Sequence, residues 1–537
     1  MLTMIDWLVV LAYFVVVFLV AFGVSRRSET RESAAGYFLG NRNAGWFIVG
    51  ASLFASNIGS EHLVGLAGTG AASGVAVAQF EILASLILLL LGWFFVPFYL
   101  RSGVYTMPEF LERRYSPAAR WYLAVISIVG YVLTKISVTI FAGGIVFEAL
   151  MGIDFWTGAF IVVVATGIYT VFGGMRAVLY TDMMQMFVML AGAGLVTWFG
   201  LQAVGGWDVM AQEAGADFLD MWKPATDPNF PWTGILLGAP ILGVWYWCTD
   251  QFIVQRVLSA RNIQEARRGA VFAGFLKLLP LFIFVVPGII AHVLATRGEI
   301  TLSSPDAALP TLVSTLLPEG VRGLVVAGLL AALMSSLSSV FNSCSTLVTW
   351  DVYRKLKPQA PERELVVVGQ AVTLVMVGFG LAWIPMMKLI SGQLYQYLQS
   401  VQAYISPPIA AVFLIGIFWR RVNSQGAMAA LLTGFVLGMT RLVLELNRDL
   451  MGDGWIGWFT TMNFLHFAIF LFVVCSATLV LVSLATPPPA ASQVDALTVG
   501  SGGSPEGVEA PSSGRRLDAL ATLGLIALVA AVWWAFS

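Results

Sequence analysis

Charge is what this sequence has least of. Of 537 residues only 11% are charged, against 58% hydrophobic, where a soluble domain carries about 25% charged residues. The 29 basic and 30 acidic side chains leave a net charge of −1 with no basic tract, which excludes the electrostatic footprint of a nucleic-acid binder. Cysteine is nearly absent: Cys248, Cys344 and Cys475 lie scattered in apolar surroundings, a pattern that fits neither a disulfide framework nor a metal site. No nucleophile and base pair, metal cluster or phosphate loop is legible, so an enzyme is not expected. Met1 to Asp6 lacks basic residues, and no small-residue cleavage site follows. The first apolar run therefore reads as a retained helix and not as a signal peptide.

Long apolar runs are there in abundance, and the mean hydropathy is +0.84. A bilayer core of about 30 Å takes about 20 residues to cross. Fourteen spans are expected, near 5–24, 44–73, 79–100, 119–149, 154–173, 177–203, 232–257, 268–295, 319–349, 365–385, 390–418, 425–446, 457–484 and 517–536. Short cytoplasmic loops carry the excess of Lys and Arg. With the N-terminus outside, alternate connections place 21 basic residues inside and 6 outside, while Lys135 and Lys277 fall within spans. Both termini therefore read as outside, in a multi-pass protein of a plasma membrane with lipids as its surroundings.

Two of these spans are not written as lipid-facing helices. Phe54 to Gly74 carries Asn57, Ser60, Glu61 and His62, then a glycine every two to four residues. Within a bilayer, non-helical backbone is tolerated only where protein buries it or where it lines a cavity. Trp232 to Leu258 holds Tyr246, Trp247, Thr249, Asp250 and Gln251 in an otherwise apolar run. Interrupted segments at matching places in two halves point to an inverted-repeat transporter with an ion and a solute at the breaks. The pattern divides the chain into 1–43, a first helix and inner loop; 44–203, a first five-helix repeat; 204–231, an acidic outer loop; 232–418, a second repeat; 419–484, two accessory helices; 485–516, a flexible linker; and 517–537, a last helix read as peripheral.

Smaller signals add detail. Thr106, Pro108 and Glu109 predict a short capped helix in an inner loop. The ninth span concentrates Ser335, Ser336, Ser338, Ser339, Asn342, Ser343, Ser345 and Thr346. Such hydroxyls either bond back one turn and pack helices closely or, as with Ser335 and Ser336 facing a broken helix, offer ligands to a hard cation. Lys135 and Asp250 read as structural pairs. His292 and His466 have no partner visible in the sequence.

The fragments ASNIGSEHLVGLAGTGAASG, WYWCTDQ, QRVLSARN, FLKLLP, LMSSLSSVFNS, SGQLYQYLQS, SPPIAAVFL and FWRRVNSQGA, in this order from about Gly36 to Gly438, resemble the sodium/glucose cotransporters of the sodium:solute symporter family. The resemblance implies an all-α membrane protein with a LeuT-type fold, a 5+5 inverted repeat of transmembrane helices within about fourteen spans. It implies sodium as the co-transported ion, held by the carbonyls of Ala55, Ile58 and Ala332 and the hydroxyls of Ser335 and Ser336. Asp182, with Ser338 and Ser339, resembles a second sodium position, against the alternative of a buried aspartate capping a helix end. For a sugar it implies Asn57, His62, Glu81, Tyr246, Trp247, Lys277 and Gln399, a set of donors and acceptors with an aromatic platform. Tyr246 matches an inner gate, and Leu66, Phe80 and Tyr395 match an outer one.

Some positions depart from the sugar-transporter pattern. Gly243 stands where a threonine or asparagine is usual, Ile82 where a tryptophan is common, and Gln396 and Gln402 replace an acidic and a small polar residue. Each lost hydrogen bond costs about 1 kcal/mol, so these changes bear on preference among glucose, galactose and myo-inositol. A symporter for a monocarboxylate, iodide or an amino acid would lack the Glu81 and Lys277 pair. A sugar-gated sensor with little transport would share every residue named. The short, cysteine-free outer loop 297–318 and the absence of a glycosylation sequon suggest a bacterial-type member.

Overall fold

The computed structural model describes residues 2–26, 33–59, 61–387, 394–446, 454–495, 497–499 and 512–537. Backbone in hydrocarbon must satisfy its own N–H and C=O groups, and the described backbone does so with helices. The only β pairing among the described residues is an isolated bridge between Ala44 and Ala260. The principal helices are α1 (Met4–Arg26), α2 (Trp46–Asn57), α3 (Ala67–Ser73), α4 (Gln79–Leu90), α5 (Pro117–Met151), α6 (Phe155–Val204) and α7 (Gln251–Leu258). There follow α8 (Ile263–Leu276), α9 (Val286–Thr296), α10 (Val321–Leu347), α11 (Glu362–Met387), α12 (Leu394–Phe418), α13 (Ser424–Leu446), α14 (Phe464–Ala485) and α15 (Ser512–Ala535).

Among the described residues, eleven helical stretches are long and apolar enough to cross a membrane. The expected spans 154–173 and 177–203 lie in one helix, α6, folded at Gly174 (φ 57°, ψ −160°). An L side chain rarely adopts that backbone, and a Cβ there would also press on the Tyr37 carbonyl. The stretch 62–102 is likewise continuous through a kink at Gly74. The predicted helix after Thr106 is present as Met107–Arg114, with the Thr106 hydroxyl accepting from the Glu109 N–H at 3.2 Å.

The structure narrows both interruptions. The first covers only the turn after α2, where Ile58 is extended (φ −75°, ψ 94°); a π-helical turn, Glu61–Leu66, resumes the helix and runs into α3. The glycines beyond do not unwind the chain. A Cβ at Gly68 would strike Asp306, outside α9, and one at Gly288 of α9 would strike the Ala67 carbonyl; Gly288 lets α9 approach α3 closely, as small residues do between membrane helices. In the second interrupted span, a π turn at Val244–Thr249 precedes the extended residue Asp250 (φ −77°, ψ 127°), whose side chain caps α7 through the Phe252 N–H. The two broken elements meet where the Ala44 N–H donates to the Ser259 carbonyl and the Arg261 N–H to the Ala44 carbonyl, both at 3.0 Å. Behind them α6 and α10 share the most extensive helix interface.

Candidate functional site

All seven residues expected to face a sugar line one cavity, together with Phe80, Lys135, Gly243 and Gln402. Asn57 ends α2 at the first break, and His62 opens the π turn beyond it. Glu81 sits in the first turn of α4, and Lys277 caps the C-terminus of α8, where a cation is favoured by the exposed carbonyls. Tyr246 and Trp247 occupy the π turn before the second break.

The polar groups satisfy one another. Lys277 Nζ donates to both Asn57 Oδ1 and Glu81 Oε2. His62 Nε2 stands 3.2 Å from the other carboxylate oxygen of Glu81. Asn57 Nδ2 donates to the Tyr246 hydroxyl at 2.9 Å. The Lys277 ammonium lies 5.4 Å from the Trp247 ring, which meets the Tyr246 ring edge-on at 5.2 Å. Lys277 is 1% and Glu81 3% exposed, a depth at which an isolated charge costs at least about 2.5 kcal/mol. The pairing offsets that cost. The cavity of about 60 Å³ has room for a few water molecules, so a larger polar solute must displace these internal contacts and take over their hydrogen bonds.

The expected gate is only partly assembled. Phe80 lines the cavity and stacks on Phe464 at 6.3 Å, with Phe230 edge-on at the same distance. Leu66 is fully buried and does not line the cavity. The side chains of Tyr395 and Gln396 fall outside the described residues. At Gly243 a Cβ would meet only the tip of the Ile87 side chain, which could turn aside to admit it.

At the expected ion site, α10 crosses the end of α2. The Ser336 hydroxyl donates to the Ser56 carbonyl at 3.1 Å, while the buried Ser335 hydroxyl has no hydrogen-bond partner. Ala55 and Ile58 flank the first break, and Ala332 lies one turn before Ser335 and Ser336. Other hydroxyls of α10 are taken up in packing. Ser338 donates to the Ser335 carbonyl at 3.0 Å, Ser343 to Ser339 at 2.9 Å and Ser345 to Gly369 at 2.7 Å.

Asp182 lies inside α6 and not at a helix end, so the capping alternative is withdrawn. It accepts from the Ser52 hydroxyl at 2.5 Å, and Arg256 of α7 approaches it at 3.8 Å. The same guanidinium donates to Ser339, and Asp182 Oδ1 has no hydrogen-bond partner. The sequence reading missed Lys135, set aside as a structural partner of Asp250. Its ammonium faces the cavity and donates to the Tyr246 hydroxyl at 3.0 Å. Asp250 accepts from Tyr131 and lies within electrostatic reach of Lys135. The unassigned histidines are packed: His292 lies 4.3 Å from the Phe218 ring, and His466 shares a 2.8 Å hydrogen bond with Thr233.

Comparison with known proteins agrees with this geometry. The model of the sodium:solute symporter family matches residues 37–434. Sodium/glucose cotransporter 1 of Oryctolagus cuniculus is 40% identical over 524 residues, covering 90% of this chain and 79% of that protein. The sodium/myo-inositol cotransporter of Mus musculus is 40% identical over 539 residues, covering 92% and 75%. Among solved structures, the substrate-bound, outward-open state of a Na+-coupled sialic acid symporter superposes with a TM-score of 0.79 at 22% identity, over 90% of this chain and 99% of that one. MhsT in complex with L-phenylalanine gives 0.50 at 14%, over 81% and 98%. These two likenesses show the fold alone, which is the LeuT-type arrangement that the resemblance implied. The bacterial-type expectation is not borne out, since the relatives named here are mammalian. The chain belongs to the sodium:solute symporter family.

Proposed function

We propose that this protein is a sodium-coupled secondary active symporter of a monosaccharide of the glucose and galactose class, working by alternating access. The observation that carries the reading is the buried Lys277, which joins Asn57 at the first break to Glu81 on α4 beside the Tyr246 and Trp247 rings. A pyranose presents hydroxyls around its rim and C–H groups on its faces. Glu81 accepts, Lys277 donates, Asn57 and Gln399 do both, and His62 does either according to its tautomer. The aromatic rings supply the apolar platform.

Sodium is the co-transported ion in this reading. Oxygen ligands suit a hard cation, and the unpartnered Ser335 hydroxyl next to the break supports the assignment of Ser335, Ser336 and the carbonyls of Ala55, Ile58 and Ala332. The unpartnered Asp182 Oδ1 supports a second sodium near Ser338 and Ser339, provided that Arg256 withdraws. Sodium bound from outside would tie α2 to α10 and complete the sugar site; sugar would then let Phe80, Leu66 and Tyr395 close over it, and Tyr246 would open inward. Each ligand must bind one state better than the other, and the coupling is reciprocal. The charge alternation supports a plasma-membrane orientation with both termini outside.

The test is uptake of radiolabelled glucose, galactose and myo-inositol into proteoliposomes, with an inward sodium gradient or with potassium in its place. Sodium-dependent accumulation of a hexose above equilibrium is expected. Accumulation of myo-inositol alone would favour the second reading, in keeping with the 40% identity to a myo-inositol cotransporter. Sodium-dependent binding without accumulation would favour a sensor, and neither would overturn the sugar assignment.

A further inference from the structure

A π-helical turn, Tyr131–Ile136, interrupts α5, and such turns inside α-helices frequently mark functional positions. Two side chains of this turn, four residues apart, reach the second broken segment. The Tyr131 hydroxyl donates to Asp250 Oδ1 and accepts from the Phe252 N–H at 3.0 Å. Lys135 Nζ donates to the Tyr246 hydroxyl at 3.0 Å and lies 4.4 Å from that ring and 5.0 Å from the Phe252 ring. Tyr246 precedes the break at Asp250, and Phe252 follows it. One turn of α5 therefore grips the chain on both sides of the discontinuity.

The surrounding space fits a moving part. A second cavity of about 20 Å³ lies on the other side of this turn, lined by Tyr131, Lys135, Asp250 and Gln402. Lys135 and Gln402 also line the larger cavity, so they form the partition between the two. Asp250 Oδ2 is buried there without a hydrogen-bond partner, and an unmatched buried carboxylate oxygen is costly to keep. A buried lysine at this depth is by default a functional group. The Tyr246 hydroxyl accepts from Asn57 as well as from Lys135. A solute that takes the Asn57 amide removes one of those two donors and leaves Lys135 holding the ring.

We propose that Tyr131 and Lys135 form a clasp that holds the inner side of the second broken segment shut, with Lys135 the positioning residue for the Tyr246 gate. The clasp rests on the symport reading for its role in coupling, but not for its geometry. Opening toward the inside requires Lys135 to release Tyr246 and Tyr131 to release Asp250. The freed Asp250, Gln402 and Lys135 then face the widened lower cavity, where a leaving polyol would meet them.

Cys248 lies between the gate and the break and is fully buried, so its alkylation reports opening without any transport assay. Wild type, Lys135→Met and Tyr131→Phe would be reconstituted in potassium buffer and exposed to a membrane-permeant maleimide, with modification of the Cys248 peptide followed by mass spectrometry. Sodium-driven accumulation of glucose would be measured on the same vesicles. Loss of one hydrogen bond predicts about fivefold faster labelling of Cys248 in each variant, with lower steady-state accumulation, and with unchanged sodium-dependent sugar binding in Tyr131→Phe, whose side chain does not line the larger cavity. If Lys135→Met fails to fold, Tyr131→Phe, which removes a single oxygen, decides the matter. Labelling at the wild-type rate in the folded variants would overturn the clasp even where wild type accumulates sugar. Faster labelling in a protein that accumulates no sugar would support the clasp and overturn the sugar reading instead.

Discussion

Lys277 carries the heaviest electrostatic duty of any single side chain at the site, because it neutralises Glu81 and occupies the acceptor of Asn57 at once. Removing one member of a buried ion pair leaves an uncompensated charge, whereas replacing both members by apolar groups is often close to neutral. Lys277→Met is therefore expected to destabilise the protein by about 3–5 kcal/mol. Adding Glu81→Leu should restore most of the thermal stability in detergent without restoring sugar uptake. A double variant that melts no higher than the single one would mean that the pair acts through something other than its charges. Gln399 also lines the cavity.

At the scale of elements, the terminal helix α15 is more closely involved than its long linker implied. Its Trp533 indole donates to Gln79 at 2.7 Å, and Gln79 begins α4 two residues before Glu81. Its Thr522 accepts from Trp93 at 3.0 Å, and its Asp518 accepts from Arg268 of α8 at 2.7 Å. The helix thus braces α4 and α8, the two elements that present Glu81 and Lys277. Trp533→Phe, which keeps an aromatic ring and loses the donor, should raise the KM for sugar about fivefold through one lost hydrogen bond. The sodium half-saturation should stay unchanged, because the elements that α15 braces are α4 and α8. Kinetics of sodium-driven uptake at varied sugar would check this, and an unaltered KM would return α15 to a peripheral role.

Across the whole molecule, the two expected halves meet at their breaks. The Ser336 hydroxyl of α10 reaches the Ser56 carbonyl of α2, linking 232–418 to 44–203 at the place assigned to sodium. An ion there would reinforce that contact from both sides, and its departure would leave only the neutral Ser336–Ser56 hydrogen bond at that point. Ser336→Ala removes the hydrogen bond and, in the proposed reading, an ion ligand. The sodium half-saturation for uptake should rise about fivefold or more, with expression and folding unchanged. Uptake measured against sodium at saturating sugar decides it, and unchanged sodium dependence would remove the proposed ion site.

The sequence by itself showed a membrane protein of many apolar spans and the places of both interruptions, though fourteen spans were expected where eleven helical stretches are described; the seven residues around the cavity came through the resemblance. Apolar length, charged-loop alternation and polar residues inside hydrocarbon are local properties, each governed by transfer into the bilayer. The order of the quoted fragments then carried the resemblance. Tertiary structure alone decided which groups bind one another. Lys135 and Asp250 lie within electrostatic reach of each other, but their hydrogen bonds go elsewhere, Lys135 to Tyr246 and Asp250 to Tyr131. The glycines after Gly59 looked like unwinding, yet Gly68 and Gly70 sit within helix where a Cβ would strike Asp306 and the Val285 carbonyl. Asp182 has its meaning set by Ser52 and Arg256, which come from helices far away in the chain. Contacts of this kind depend on how helices cross, which the periodicity of a single segment does not encode.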